Sequence, residues 1–416
     1  MQAHVARRER LSRFVDLARA YRGWSRQELA SRLGRDLSKI IPGSGNPKLD
    51  LVVALAEALE WDVGDVVQGV WDARWDDGAE ASMLGLPYGE LDARALAAHR
   101  AGDWESMRSA ASAMLMSAGT PEDRARALNR FAGAYEGLGR FGRSVECLRA
   151  ALSASPLSPA MGAMLRVNLA GAHYALWNVV EARATAHEVV ERFAHRVHCG
   201  RAERIGHALA LMHRGQCARR LLSELGGEAR AAACEARDDL ARAADLLDDA
   251  HGRYPDAALD GAARTCRGAL LEARVGTREL APEEAVDAIV ASLAEVEDPE
   301  SHAPGAWLES HGWWCVYGCN VALGHLDEPV FGRAMAILTN KAIDIAGRTD
   351  SWPLRERALT LEHARRERDA PDADAEDPWI VDEEDIRTIA GAMGRFPSFR
   401  ETGWRILASA RVVGEL

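Results

Sequence analysis

Histidine, cysteine and glutamate side chains recur at helical spacing near the middle of the chain, where they could hold a metal ion. The residues concerned are His187, Glu191, His195, His198 and Cys199. Spacings of three and four residues can present ligands to zinc from one face of a helix. The helix is expected to end near Phe193, however, and the sequence from His187 to Glu191 is not the H-E-x-x-H motif of zinc proteases. The pattern favours surface histidines, and we predict no metal site here.

Two further residue pairs and one glycine-containing loop have spacings that could support redox chemistry or phosphate binding. His213 and Cys217 lie four residues apart, as do Cys315 and Cys319, which fall among aromatic residues. Buried packing thiols explain the cysteine pair better than redox sensing does. The loop 43–48 (GSGNPK) lacks the third glycine of G-x-G-x-x-G and the G-K-[ST] ending of a phosphate-binding loop. Since the sequence also lacks a nucleophile elbow and a triad motif, we predict no catalytic residues, no cofactor and no enzyme activity.

Charge is distributed unevenly along the 416 residues, of which 48% are hydrophobic and 27% charged. The net charge is −12, yet residues 1–48 carry an excess of seven positive charges and the remainder an excess of nineteen negative ones. A basic head on an acidic body is typical of local attraction to phosphate.

The sequence favours a location inside the cell and off the membrane. No stretch reaches the roughly 18 apolar residues that a membrane-spanning helix needs. The N-terminus lacks the apolar core of a signal peptide, and the odd number of cysteines suits a reducing compartment, so we expect a cytoplasmic protein.

Five short helices are predicted in the first seventy or so residues. The second begins at Ser25-Arg26-Gln27-Glu28, which has the form of a capping box. Gly34 then supplies a turn in which a positive φ costs little. A third short helix over 35–41, a loop over 42–47, a fourth helix over 51–59 and a fifth from Asp62 to Trp71 follow. This arrangement is that of a helix-turn-helix domain.

The same residues resemble the Cro/CI-like (XRE) family of bacterial and phage regulators. The matching segments are Ser25-x-x-Glu28-Leu29-Ala30-x-x-Leu33-Gly34, Asn46-Pro47-x-Leu49 and Leu55-Ala56-x-Ala58-Leu59. The resemblance covers residues 10–71 and implies that the third helix binds the major groove of double-stranded DNA, usually in a dimer. The segment between Gly34 and Asn46 is shorter than the family pattern, so the recognition helix spans at most 35–41. A shortened domain that no longer binds DNA and serves as a protein-docking module is the alternative.

Six residues of this domain are candidates for DNA contacts. Base edges would be read by the exposed residues of the third helix, which are Arg35, Asp36, Ser38 and Lys39. Arginine and lysine can hydrogen-bond guanine, whereas serine contacts are less selective. Arg26 and Lys48 are better placed for phosphates, which position a protein without carrying sequence information.

An internal repeat follows the polar joint at 73–90. Residues 131–138 (FAGAYEGL) recur 38 residues later as 169–176 (LAGAHYAL). The first copy resembles the tetratricopeptide repeat, because its large, small and aromatic residues match helix A and Gly139-Arg140-Phe141 match the turn. We therefore predict an all-α protein with three parts. These are a helix-turn-helix domain over 1–72 and an α-solenoid of tetratricopeptide-like helix pairs over 91–365. The third part, over 366–416, contains an exposed acidic loop at 369–385 and a capping helix near 400–413.

Stacked helix pairs form a concave surface that commonly binds an extended peptide or a partner helix. The repeat register places Arg126, Asn129, Glu136 and Tyr174 on that surface, together with Gly133, Val167 and Gly171. Asn129 could hold a peptide backbone amide, and the glycines would leave room for a backbone to approach. Alternatively, the glycines serve only to let the helices pack closely.

The combination of an XRE-like head and a tetratricopeptide body is similar to the bacterial peptide-sensing (RRNPP-type) regulators of quorum and competence systems. The resemblance implies a homodimeric DNA-binding transcriptional regulator in which a peptide or protein ligand in the repeat groove changes the dimer geometry. Two alternatives remain at this point. One is a protein-interaction scaffold that does not bind DNA, and the other is a metal-dependent or hydrolytic enzyme hidden in the helical body.

Overall fold

The structure is a computed structural model, and it describes residues 2–34, 46–59, 63–71, 85–194, 200–221, 229–369 and 379–412. The chain divides into two compact units, Met1–Leu84 and Gly85–Leu416, here named the head and the repeat unit. Apart from two three-residue strands, the regular elements of the described ranges are helices. The predicted all-α fold class is therefore confirmed. Within those ranges no helix has both the length and the apolar character that a membrane crossing requires.

The described part of the head contains α1 (Gln2–Arg22), α2 (Arg26–Arg32), α3 (Leu49–Leu59) and α4 (Val63–Trp71). Its core takes one apolar face from each helix, including Leu11 of α1, Leu29 of α2 and Leu55 of α3, all within the predicted core. Residues spaced three and four apart lie on one side of a helix, so each helix buries a continuous stripe. The predicted helix over 35–41 lies outside the described residues.

The short helix α2 is fixed at both of its ends. The Glu28 amide donates to Ser25 Oγ (3.2 Å), and the Ser25 amide donates to the Glu28 carboxylate (2.8 Å). These reciprocal bonds are the predicted capping box, and they lower the pKa of Glu28. After α2, Gly34 adopts a left-handed φ of 59°. Both features of this segment that the sequence predicted are confirmed.

The repeat unit is a series of helices in which each packs against the next along the chain. The first six are α5 (Tyr88–Ala101), α6 (Trp104–Ser117), α7 (Pro121–Gly137), α8 (Phe141–Ser153), α9 (Pro159–Ala175) and α10 (Val179–Phe193). They are followed by α11 (Arg201–Arg220), α12 (Ala229–Arg253), α13 (Ala257–Gly276), α14 (Pro282–Ser292), α15 (Ala306–His325), α16 (Val330–Thr349) and α17 (Trp352–Asp369). Two 3-10 turns, Leu293–Val296 and Pro299–Ser301, lie between α14 and α15. Each helix thus buries its apolar face against its neighbours, as in other stacked repeats.

The C-terminal part differs from the sequence prediction of an acidic loop followed by one long helix. Residues 379–385, assigned to the loop, form β1 (Trp379–Val381) and the start of α18 (Glu383–Arg395). The Asp385 amide donates to the Asp382 side chain (2.9 Å), so acidic residues cap a helix here. The predicted loop residues 370–378 lie outside the described part.

The last helix is also shorter than predicted. A 3-10 turn, Pro397–Phe399, precedes α19 (Arg400–Ser409), and the chain then enters β2 (Ala410–Val412). The two strands pair in parallel, with Trp379 opposite Ala410. The helix predicted to reach Val413 therefore ends at Ser409, because the following backbone bonds to β1.

These C-terminal elements return to the turn between α7 and α8. Phe396 packs against Phe141, with their ring centroids 5.9 Å apart. Arg395 Nε donates to the backbone oxygen of Leu138 (3.3 Å), and the Arg395 guanidinium lies 3.7 Å from the Trp352 ring centroid. The repeat unit is consequently closed by contacts between residues some 250 positions apart in the sequence.

Candidate functional site

A cavity of about 1080 Å³ lies inside the repeat unit. Its described wall is formed by α11, α13, α15 and α17, by the turns that follow α9 and α13, and by the first residues of α12 and α14. The charged residues of that wall are Arg219, Arg220, Arg278, Arg357, Glu272 and Glu279. Cavities of this size hold drug-sized molecules or short segments of peptide. Four arginines against two glutamates give the described wall an excess of positive charge.

One pair in the wall is fully satisfied by hydrogen bonds. Arg219 Nη1 donates to both oxygens of Glu272 (2.9 and 2.8 Å), Nε donates to Gln216 (3.0 Å), and Nη2 donates to the Tyr174 hydroxyl (3.1 Å). Asn320 Nδ2 also donates to Glu272 (3.2 Å). Every guanidinium nitrogen of Arg219 therefore has a partner. A pair of this kind fixes geometry, and its charges largely cancel.

Arg220 and Arg357 are arranged differently, around the Trp177 ring. The Cζ atom of Arg220 lies 4.0 Å from the centroid of that ring, and the Cζ atom of Arg357 lies 4.4 Å from it. Arg220 also lies over the Tyr174 ring (3.6 Å) and donates from Nη1 to the Tyr174 backbone oxygen (2.8 Å). In the described ranges, no carboxylate forms an ion pair with Arg220. Burial lowers the pKa of Arg220, Tyr174 and Glu356 raise it, and the charges of Arg357 and Arg219 lower it.

The turn that holds Trp177 departs from the turns of the preceding repeats. Gly102 and Gly139 occupy the corresponding places after α5 and α7, with φ of 69° and 71°. Trp177 adopts the same left-handed conformation, with φ of 65°, and so does Arg278 after α13. A side chain in this conformation costs about 1–2 kcal/mol relative to the right-handed one. Backbone strain of this sort clusters at ligand-binding sites.

The four residues predicted to face the groove have partners within the protein. Arg126 lies 4.0 Å from Asp92 and from Glu122. Asn129 Oδ1 accepts from Asn168 (2.8 Å). Glu136 accepts from the Ser144 hydroxyl (2.7 Å), and burial raises the pKa of Glu136 to about 7.

Of these four, Tyr174 contacts the arginines of the cavity wall. A Cβ atom added to Gly133 would lie 3.0 Å from the Met107 side chain, and one added to Gly171 would lie 3.1 Å from the His213 side chain. Both glycines therefore permit close helix packing. Val167 was predicted to face the groove, and that prediction is wrong. It is 1% exposed because α9 turns it into the main hydrophobic core.

Two of the six predicted DNA contacts lie in described parts of the head. Arg26 begins α2 and Lys48 precedes α3, and both are exposed. Arg35, Asp36, Ser38 and Lys39 lie outside the described residues. Their role in base reading stays a prediction.

The described members of the predicted metal and redox patterns include His187, Cys217 and Cys315. His187 Nδ1 lies 3.0 Å from Arg214 Nη1, while His195, His198 and Cys199 fall outside the described residues. Cys217 and Cys315 are fully buried, and burial raises the pKa of each thiol to about 12. These thiols stay protonated and serve as packing groups. No cluster of three or more His, Cys, Asp or Glu residues suited to a metal ion occurs in the described part of the chain.

Sequence reasoning missed the residues that build the cavity. One signal was available, because Leu138-Gly139-Arg140 and Leu176-Trp177-Asn178 align and the glycine is replaced by tryptophan. The contribution of Arg357 had no such signal. It lies 180 positions beyond Trp177, and only the closure of the repeat unit brings the two residues together.

A structure that the chain resembles is that of Bacillus thuringiensis PlcR in complex with the peptide PapR7 and DNA. The two chains are 13% identical, the alignment covers 71% of this chain and 97% of that chain, and the TM-score is 0.37. No protein-family model and no curated protein matches the sequence. What this chain binds must therefore follow from its own residues.

Proposed function

We propose that this protein is a DNA-binding transcriptional regulator whose repeat unit binds a ligand and thereby changes how the head engages DNA. The head would bind double-stranded DNA through a helix-turn-helix of the XRE kind. The repeat unit, with its tetratricopeptide-like helix pairs, would receive a peptide or a protein segment. The active form would be a homodimer, since two heads can then contact successive major grooves.

The observation that carries the DNA-binding half is the local structure of α2. This helix begins at a side-chain cap, packs Leu29 into the core, and is followed at once by left-handed Gly34. A short helix, a glycine turn and a further helix are the parts of a helix-turn-helix. Arg26 is exposed at the start of α2, where a cation can contact a phosphate.

The ligand-binding half is supported by the position of the cavity. Its wall joins the turn after α9 to α17 through the contact between Trp177 and Arg357. A ligand held there would contact elements that are distant in sequence and would alter how tightly the repeat unit closes. Ligands shift a conformational equilibrium only as far as they bind its two states differently. A ligand in a cavity at this contact would bind the closed form of the repeat unit more tightly than an opened form.

Selection of genomic DNA by the full-length chain, with and without cell extract, would test the proposal. We expect an enriched sequence motif, and gel shifts with that motif should weaken steeply as salt rises. Lys39→Ala is expected to weaken binding to the motif about tenfold, in line with the loss of one base contact. Arg26→Ala should weaken binding to all sequences and reduce the salt slope by about 1.

Arg253→Ala is the matched control, because Arg253 is an exposed arginine of the repeat unit that pairs with Asp249 (2.9 Å). It should leave DNA binding unchanged. If the chain selects no sequence and Lys39→Ala has no effect, the protein is a docking scaffold and the regulator proposal is wrong.

The dimer can be tested on the selected motif itself. Two half-sites should be separated by about 10 base pairs or a multiple of that number, because the heads approach the same face of the duplex. Inserting about five base pairs between the half-sites places them on opposite faces and should abolish cooperative binding. Equal affinity for both spacings would contradict a dimer with fixed head geometry.

A further inference from the structure

We infer that the cavity binds an anionic ligand through a carboxylate or phosphate group held by Arg220 and Arg357 beside Trp177. The inference rests on the proposed ligand-binding role of the repeat unit, and it does not depend on DNA binding by the head. It names the chemistry of the ligand and assigns the residues that would recognise it.

The first support is the contrast between two adjacent arginines of α11. Arg219 uses all of its nitrogens, and Glu272 balances its charge at 2.8 Å. Arg220 follows it in the sequence, yet its described hydrogen bond goes to the neutral backbone oxygen of Tyr174. A guanidinium stays charged at any working pH, and a half-buried one without a direct ion pair is less stable than a paired one. An anion from the ligand would supply what Arg220 lacks within the described structure.

The second support is the approach of a second cation to the same ring. Arg357 comes from α17, and its Cζ atom lies within 4.4 Å of the Trp177 ring centroid that Arg220 also contacts. Two like charges on one indole repel each other. Planar guanidinium groups bind carboxylate and phosphate oxygens through paired N–H donors. An anion bound to both arginines would replace this repulsion with two attractions.

Glu356 is the nearby carboxylate that could have played this part, and it is already occupied. Its Oε1 accepts from the Thr360 hydroxyl (2.9 Å) and lies 3.8 Å from Arg357 Nη1, while its Oε2 accepts from Trp177 Nε1 (3.4 Å). Glu356 is also almost fully buried. It therefore positions Trp177 and partly balances Arg357, and it attracts Arg220 from a greater distance without forming an ion pair with it in the described ranges.

The third support is the backbone at the rim of the cavity. Trp177 and Arg278 both line it, and both hold the left-handed conformation that glycine holds at the earlier turns. A glycine would relieve the strain but would remove the indole that orients Arg220 and Arg357. Side chains kept at strained positions are expected where a site needs them.

Two probes distinguish the possible sources of the anion. Inorganic phosphate represents a phosphorylated ligand, and triglycine represents a peptide with a free terminal carboxylate. Triglycinamide, which lacks that carboxylate, is the control for the second probe. Each is titrated calorimetrically into the full-length chain in chloride buffer at constant ionic strength. A Kd on the order of 1 mM is expected for the probe that matches the natural ligand, as is usual for small fragments.

The melting temperature provides a second readout. It should rise by about 2–4 °C when the matching probe is in roughly tenfold excess over its Kd. Arg220→Met and Arg357→Met should each weaken binding of that probe at least tenfold. Arg253→Met, an exposed change elsewhere in the repeat unit, should not. In chloride alone, Arg220→Met should melt within about 2 °C of the wild type, because relief of a buried charge offsets the lost hydrogen bond.

The outcomes separate this inference from the proposed function. Saturable binding of phosphate or triglycine that both arginine variants abolish supports the anion site, even if the chain selects no DNA sequence. Binding that the variants leave intact overturns it, and so does a failure of both anions to saturate at about 20 mM. Equal binding of triglycine and triglycinamide overturns the carboxylate form. A strong fall in the melting temperature of Arg220→Met without probe assigns Arg220 a structural role instead.

Discussion

Two groups of turns in the repeat unit share a left-handed backbone conformation and differ in their residues. Gly102 and Gly139 form the turns of the first two helix pairs, and Trp177 and Arg278 form the turns at the cavity. All four have φ between 65° and 71°. The first group carries glycine, while the second group carries large side chains at a cost in strain.

Gly102 and Gly139 belong to the helix stack outside the cavity wall, here named the frame. Trp177 and Arg278 belong to the cavity wall. A glycine at a left-handed position satisfies the backbone and leaves no side chain to make contacts. At Gly139 a Cβ would lie 2.7 Å from Arg395 Cδ, so the Arg395 side chain would have to shift. At Trp177 the side chain instead contacts Arg220, Glu356 and Arg357. At Trp177 and Arg278 the replacement of glycine therefore coincides with the cavity, whereas Asp350, which is also left-handed, does not line it.

The largest expected effect is in the wall of the cavity. Arg219→Met would leave Glu272 buried with no guanidinium partner, which should lower the free energy of unfolding by about 3–5 kcal/mol. Chemical denaturation would measure the change. The double variant Arg219→Met/Glu272→Leu should recover much of the loss, since it removes both charges. Arg237→Met breaks exposed pairs with Asp238 (2.7 Å) and with Glu279 and should change stability little.

If Arg219→Met proved as mild as Arg237→Met, the Arg219–Glu272 pair would not be what holds the cavity wall. The structural difference between Arg219, which is paired with Glu272, and Arg220, which is proposed to bind a ligand anion, would then not be supported.

A pH-dependent effect is expected in the frame, one residue before the end of α7. Burial raises the pKa of Glu136 to about 7, so the folded protein keeps this carboxyl protonated over a range in which the unfolded chain ionises it. Its contribution to stability is fully present below the unfolded pKa and is lost as the pH rises through about 7. The free energy of unfolding of Glu136→Gln relative to the wild type should therefore be about 2 kcal/mol more favourable at pH 8 than at pH 5.

Denaturation curves at the two pH values would measure this difference. The control is Glu146→Gln, because Glu146 is an exposed carboxylate on α8 that pairs with Arg143 (2.7 Å). It should show no comparable pH dependence. A Glu136→Gln variant that is equally displaced from the wild type at both pH values would contradict ionisation as the cause.

The two glycine turns of the frame give a matched pair of smaller effects. Gly139→Ala should destabilise the protein by about 1–2 kcal/mol from its left-handed φ alone, and by more if Arg395 and Trp352 cannot move aside. Gly102→Ala has the same φ cost, but its Cβ would meet nothing within 4 Å in the described structure. The difference between their unfolding free energies isolates the contact with the C-terminal helices. Identical values would mean that this contact does not close the repeat unit.

Sequence patterns predicted the local structure of both units well, because caps, turns and helix ends depend on residues that are close in the sequence. The capping box at Ser25, the glycine turns and the helix end at Phe193 each follow from residues a few positions apart. The cavity depends on closure, which joins Trp177 to Arg357 across 180 positions, and local periodicity holds no information about that contact. The groove register placed Tyr174 beside the cavity but assigned Val167 to the wrong face. The acidic run was predicted as a loop, although Asp382 caps a helix.

The most direct test of this account is the titration of phosphate and triglycine into Trp177→Gly, which gives the cavity the turn that the frame already has. Its stability should fall by about 1–3 kcal/mol, because the lost ring burial and ring contacts outweigh the backbone strain that is relieved, so binding is measured well below the melting temperature. Anion binding should nevertheless fall at least tenfold, since Arg220 and Arg357 lose the ring that orients them. Undiminished binding by a well-folded Trp177→Gly protein would show that the cavity does not depend on its departure from the repeat pattern, and would contradict the account.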